Sequence, residues 1–327
     1  MQEAETNTQV IPMRRGGIAT LELPRSVAEH GPAARYAWEE YFAGKLRNPH
    51  TRQAYLFAVG RFLTWCEQRS VGLLDITPGM IGQYFDEHPA SAPTKKLHMS
   101  AIRGLFDTLV LRHIVVLNPA LSVKTERFSA LEGKTPEITV EQARLLLQSI
   151  SVDTAIGLRD RAIIGILVYT AARAGAVARL RSKDLVDEGT QLSLRFREKG
   201  GKHRAIPVRH DLQGFLTEYL SVATTDSQSK DEPLFRTAQG RTGKLSQNAI
   251  TAVDICRLVK RRLRAAGLPT IISPHSFRSC TATDLLLQGV ALEDVQHLLG
   301  HSDVRVTRLY DRRQRRVTRN IVERISV

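Results

Sequence analysis

Residues 273–310 read SPHSFRSCTATDLLLQGVALEDVQHLLGHSDVRVTRLY. The stretch holds an H-x-x-R at His275 to Arg278, then L-L-G-H-S at 298–302, then Tyr310 nine residues beyond His301. Each signature is common alone, and their order and spacing carry the reading. Gly300 is placed to end a helix between His297 and His301, and no H-E-x-x-H pattern exists, so these two histidines do not read as a zinc pair. Taken singly, Tyr310 reads as well as a half-buried tyrosine, like Tyr55, Tyr84 and Tyr169.

Upstream, an apolar helix from Leu158 to Tyr169 ends in YTAARAGAVARLR, which carries Arg173. By itself Arg173 is a basic residue at a helix C-terminus, favoured there by the helix dipole. Leu192, Leu194 and Phe196 alternate, the turn Lys199-Gly200-Gly201-Lys202 follows, and Ile206 and Val208 alternate again, the pattern of a β-hairpin. Lys199 and Lys202 compete for any role at that turn, and either also fits a solvated turn position.

The chain has 327 residues, more than one hydrophobic core usually takes, so two domains are expected. No apolar run approaches the roughly 20 residues of a membrane helix. The polar, acidic beginning MQEAETNTQVIPMRRGG has no secretory layout, so a cytoplasmic location is expected. Three scattered cysteines, Cys66, Cys256 and Cys280, make neither a disulfide framework nor a zinc site. The net charge is +14, and residues 136–327 hold 31 basic against 20 acidic groups. Such an excess suits a polyanion, of which nucleic acid is the commonest, although basic surfaces also serve solubility or anionic lipid.

Residues 1–30 lack periodicity and read as a flexible arm. Helices are expected over Ala34 to Leu46, Thr51 to Arg69, Gly79 to Glu87 after the Thr77-Pro78 start signal, and Thr94 to Arg112. The last places Leu97, Ile102, Leu105, Phe106 and Leu109 inward and Lys95, Lys96 and Arg103 outward. Asn118-Pro119 ends this region and the polar stretch 122–136 reads as a linker. Thr139 and Gln142 form a capping box, and Ser246 is expected to cap a long helix ending in KRRLRAAG. The basic runs 257–264 and 312–319 read as solvated helix faces, the first with a possible place along DNA.

Taken together, H-x-x-R, L-L-G-H-S and Tyr310, with Arg173 and the hairpin EKGGKHRAIPV, resemble the tyrosine recombinases, the family of phage integrases and Xer recombinases. The match runs closely over about 137–320, and before it rests on size, placement and an Asn-Pro-Ala ending. The resemblance implies Tyr310 as nucleophile, Arg173, His275, Arg278 and His301 around the scissile phosphate, and Lys199 as general acid. The chemistry agrees. Phosphodiester cleavage is very slow unaided and gathers negative charge on the non-bridging oxygens, which fixed cationic donors stabilise. Arginine's fork suits phosphate, and histidine both donates and moves protons near neutrality. A phenol ionises only near pH 10 in water and needs a cationic surround to attack. The phosphotyrosine keeps the energy of the broken bond, so neither metal nor cofactor is expected. Ala176 stands where the family usually has an acid, Ser279 where it often has a histidine, and Ala171-Ala172-Arg173 where Gly-Leu-Arg is common.

The expected fold is mainly α with a small β-sheet, a two-domain DNA clamp. A flexible arm (1–30) precedes an N-terminal helical core-binding domain (31–120), a linker (121–136) and a mixed α/β catalytic domain with a C-terminal tail (137–327). The implied partners are double-stranded DNA with a specific recombination site, three further copies in a tetramer acting through a Holliday junction, and accessory proteins. The tail, with apolar Ile321, Val322, Ile325 and Val327, is expected to dock on a neighbour, with packing on its own domain as the rival. Arg52, Lys95, Lys96, Arg103 and Lys202 are candidate DNA contacts. The alternatives are a type IB topoisomerase-like relaxation of supercoils and an inactive DNA-binding relative.

Overall fold

The computed structural model describes residues 23–126, 136, 138–197, 203–223, 229–240 and 242–311. They are mainly helical with two small antiparallel sheets, and fall into two units, Met1–Ser129 and Ala130–Val327. Among the described residues no helix is long and apolar enough to cross a membrane.

In the first unit, α1 (Arg25–Ala28), α2 (Gly31–Glu39), α3 (Pro49–Glu67), α4 (Pro78–Glu87) and α5 (Ala92–Leu111) surround one core. Residues 23–30, expected in the arm, belong to it: Val27 is 1% exposed and the Ser26 amide donates to Glu67 at 2.9 Å. A four-residue helix carries too little periodicity to be read in advance. The helix expected up to Leu46 passes into a π-helical turn, Glu40–Lys45, which keeps Tyr41 and Phe42 inside. Asn48 caps α3, and Thr77 caps α4 with Pro78 in its first turn. Leu97, expected inward, is 39% exposed, whereas neighbouring His98 and Met99 are buried.

Gly104 on α5 lies against the Tyr41 phenol. A Cβ there would fall inside the hydroxyl's contact surface, with the ring carbons Cε2 and Cζ at 2.8 Å. The phenol cannot swing away, because it is 4% exposed and its hydroxyl donates to the Ala101 carbonyl at 2.9 Å. Alanine's better helix propensity, worth up to about 1 kcal/mol, opposes an overpacking cost of about 1–3 kcal/mol. Gly104→Ala should therefore lower stability, read as a fall in the urea unfolding midpoint.

The same core buries two histidines, His88 and His98, with ring centroids 4.8 Å apart. Burial, His88 and Arg61 push His98 down to about 4, and burial, Arg61 and Lys95 lower His88. Both folded values lie below those of the unfolded chain, so the unfolded chain takes up protons first as pH falls. Stability is full above about pH 6.5 and drains away toward pH 4, by about 1–3 kcal/mol. Urea midpoints should fall across this window, and His98→Gln should flatten the decline; parallel curves would contradict it.

The second unit begins with α6 (Val140–Gln148), held by the Thr139/Gln142 capping box. The apolar α7 (Ala155–Thr170) follows, then α8 (Ala174–Ala178). A sheet of order β1-β2-β3 is made by Leu185–Asp187, Leu192–Arg197 and His203–Pro207, with Leu194 opposite Ile206. After α9 (His210–Ala223) come β4 (Arg236–Ala238) and β5 (Leu245–Ala249), then α10 (Ala252–Ala265), α11 (Pro274–Leu287), α12 (Leu292–Leu299) and α13 (Val304–Arg308). Ser246 therefore sits in a strand, its hydroxyl 2.6 Å from that of Thr237, and Thr251 caps the long helix in a box with Asp254. The helix starts five residues later than the sequence suggests, because Ser-Gln-Asn is a weak strand sequence.

Within this unit Asp160, fully buried on α7, collects three arginines. Arg159 donates Nη2 to it at 2.7 Å, Arg261 at 2.7 Å and Arg262 at 2.8 Å. The run 257–264, given a possible place along DNA, thus spends two of its cations on an internal carboxylate. The cluster pins α10 to α7, the helix that leads into the site.

Candidate active site

Two helix ends converge on a residue of a third helix. α7 stops at Thr170 and Ala171 turns left-handed (φ 51°) with no exposed surface. A side chain in that conformation costs about 1–2 kcal/mol, which explains why glycine suits the position. α12 stops at Gly300, also left-handed (φ 63°), so His297 lies in the helix and His301 beyond it. From α11, Arg278 reaches between the two: Nη1 donates to the Ala171 carbonyl at 2.7 Å and Nη2 to the Leu299 carbonyl at 2.5 Å. Both carbonyls sit at helix C-termini, where unpaired acceptors and the negative dipole end favour a cation. Arg278 is 1% exposed.

His275, one turn before Arg278, is exposed, and its Nε2 is 3.3 Å from the Tyr310 hydroxyl. Tyr310 is 8% exposed and packs with Ala171, Ala282, Leu286, Val295 and Leu299. Its ring stacks on that of His301, centroids 5.9 Å apart at 12°. His301 is held further by Gln296 Nε2, which donates to its carbonyl at 3.0 Å, and by Thr307, whose Oγ1 is 2.9 Å from Nδ1. Burial, then Arg278, Arg173, His275 and Arg204, push His301 down to about 4. Partial desolvation, Arg278 and Arg173 hold His275 below its ordinary value. Both imidazoles are therefore neutral at pH 7 within a cationic field, ready to accept a proton or donate from one nitrogen.

Arg173 caps the N-terminus of α8 and is exposed; with His275 and Arg278 it lines one pocket. The structure thus brings Arg173, His275, Arg278, His301 and Tyr310 together. Lys199 and Lys202 lie outside the described residues, as does the tail from 312. Two of the three departures from the expected pattern, Ala176 and Ser279, sit in defined surroundings. Ala176 is packed in the core, and Ser279 returns its hydroxyl to the His275 carbonyl at 3.2 Å.

The candidate DNA contacts of the first unit fare differently. Arg52 donates Nε and Nη2 to the Leu46 carbonyl at 3.1 and 2.9 Å, and Arg103 donates to the carbonyls of Ala120 and Val123. Both guanidiniums brace chain turns, contrary to the expected outward role for Arg103. Lys95 pairs with Glu126 at 3.3 Å, while Lys96 is exposed. Sequence reading passed over Arg204 and Thr307. Arg204 lay in view in the run KGGKHR, and faces Phe196 across β2 and β3.

Residues 136–316 match the Phage integrase family, and residues 37–113 match the Phage integrase N-terminal SAM-like domain. Tyrosine recombinase XerC of Xylella fastidiosa (strain M23) is 30% identical over 266 residues, covering 80% of this chain and 85% of that protein. Among solved structures, the XerH site-specific recombinase bound to palindromic difH substrate, a post-cleavage complex, superposes with a TM-score of 0.67 at 20% identity, over 88% of this chain and 85% of that one. A lambda integrase tetramer bound to a Holliday junction gives 0.61 at 18% identity, over 84% and 79%. At such identities the superpositions establish the fold.

Proposed function

This chain belongs to the phage integrase family and is a tyrosine-type site-specific recombinase, and from that premise we propose which of its groups react. Tyr310 Oη attacks the scissile phosphorus, the phosphorus–O5′ bond breaks, and a 3′-phosphotyrosine and a free 5′-hydroxyl result. The phenol proton passes to His275 Nε2, and Lys199 supplies the proton that leaves with the 5′-oxygen. Arg173 and Arg278 balance the charge on the non-bridging oxygens, and His301 donates to one of them. The observation that carries this reading is the Tyr310 hydroxyl 3.3 Å from His275, its ring stacked on His301.

Recombination runs on duplex DNA bearing a specific site, in the cytoplasm, with protomers assembled as in the tetramer that lambda integrase forms on a Holliday junction. Lys96, which is exposed, and Lys202 are the candidate DNA contacts retained. The tail docks on a neighbouring copy.

The test is a plasmid carrying two direct copies of the site. Because the phosphotyrosine stores the bond energy, resolution into two circles should proceed at full rate in EDTA and without ATP. Dependence on added Mg²⁺ would contradict the scheme. Relaxation of a supercoiled plasmid lacking the site, with no resolution, would favour a topoisomerase.

A further inference from the structure

His301 has two ring nitrogens, and only one of them carries a proton when the ring is neutral. Which one decides whether the ring donates to the phosphate or opposes it with a lone pair.

Thr307 supplies the missing information. Its side chain has no exposed surface, and among the described residues the one hydrogen bond of its hydroxyl is to His301 Nδ1, at 2.9 Å. A buried hydroxyl proton without an acceptor is costly, and Nδ1 is the acceptor at hand. Nδ1 must then present its lone pair, which leaves the imidazole proton on Nε2. We propose that Thr307 is a positioning residue that fixes His301 as the Nε2–H tautomer and so makes its ring a donor to the scissile phosphate.

This rests on the assignment of His301 above. The depressed basicity of His301, about 4, keeps the ring neutral at working pH, so that tautomer rather than charge is what remains to be set. Thr307 also ties the ring to the nucleophile. The Tyr310 amide donates to the Thr307 carbonyl at 3.0 Å, and the Tyr310 ring lies against that of His301. One residue of α13 thereby holds the donor by its side chain and the attacking residue by its backbone.

The tautomer is read without DNA, by nitrogen NMR of the full chain labelled with ¹⁵N-histidine, His301 being assigned by its loss in His301→Asn. Near pH 7 the wild type should show Nε2 protonated and Nδ1 bare. Thr307→Ser should keep that pattern, and Thr307→Val should move it toward the other tautomer or an average. In strand cleavage Thr307→Val should lose about 10- to 100-fold in rate with DNA affinity unchanged, and Thr307→Ser should stay near wild type. A wild-type His301 protonated at Nδ1 would overturn the proposal without any variant. So would a Thr307→Val spectrum identical to wild type. A failure of cleavage in every protein would count instead against the assignment of the reacting groups.

Discussion

Replacing Tyr310 with phenylalanine is expected to lower strand cleavage by more than about 10⁴-fold while leaving folding and DNA affinity near wild type. The ring contributes the packing with Ala282, Leu286 and Leu299 and the stack on His301, and phenylalanine keeps both. The hydroxyl contributes one contact of 3.3 Å with His275, too long to matter much for stability. What disappears is the only oxygen in that cluster able to form a covalent bond to phosphorus. No neighbouring side chain among the described residues substitutes for it: Thr307 and Ser279 have their hydroxyls turned to His301 and to a backbone carbonyl. The check is single-turnover cleavage alongside a band-shift titration, which separates chemistry from binding.

The second large effect is at Arg278. Its planar fork bridges the ends of α7 and α12 and also contributes to the field on both histidines. Lysine offers a point charge on a flexible stem and cannot span two carbonyls and a phosphate at once. Arg278→Lys should slow cleavage by about 10²–10³-fold, the loss seen when one transition-state donor is removed. It should also lower stability by about 1–3 kcal/mol, since a buried carbonyl loses its donor. Single-turnover cleavage at saturating protein and urea unfolding read the two separately. A rate within threefold of wild type would place the phosphate clamp elsewhere.

What the amino-acid sequence disclosed follows from where its signals are local. The Thr77-Pro78 start, the Thr139/Gln142 box and the alternation of Leu192, Leu194 and Phe196 are decided by neighbours within a few residues, and each stands where it was read. The spacing of His275, Arg278, His301 and Tyr310 was legible for a related reason, because turns at fixed intervals bring those residues back to one place. Other features depend on partners far along the chain. Nothing near Arg103 announces that the carbonyls of Ala120 and Val123 will take its guanidinium. Nothing near Arg261 and Arg262 shows that both will turn to Asp160, a hundred residues away. Leu97, expected inward, is 39% exposed, while its neighbour His98 is buried with the Tyr84 hydroxyl 3.3 Å from its ring, a partner far along the chain. Thr307 escaped notice because a buried threonine in a short helix looks like any other until its hydroxyl is seen against an imidazole.

The central claim, that this chain cuts DNA by joining it to Tyr310, is tested most directly on a nicked suicide substrate of its recombination site. The nick lets the short fragment bearing the 5′-hydroxyl diffuse away, trapping the intermediate. Wild-type protein should accumulate a denaturation-resistant protein–DNA adduct, and peptide mass spectrometry should locate a 3′-phosphotyrosine at Tyr310. An adduct on any other residue, one that persists in Tyr310→Phe, or none from a wild type that binds the site, would contradict it.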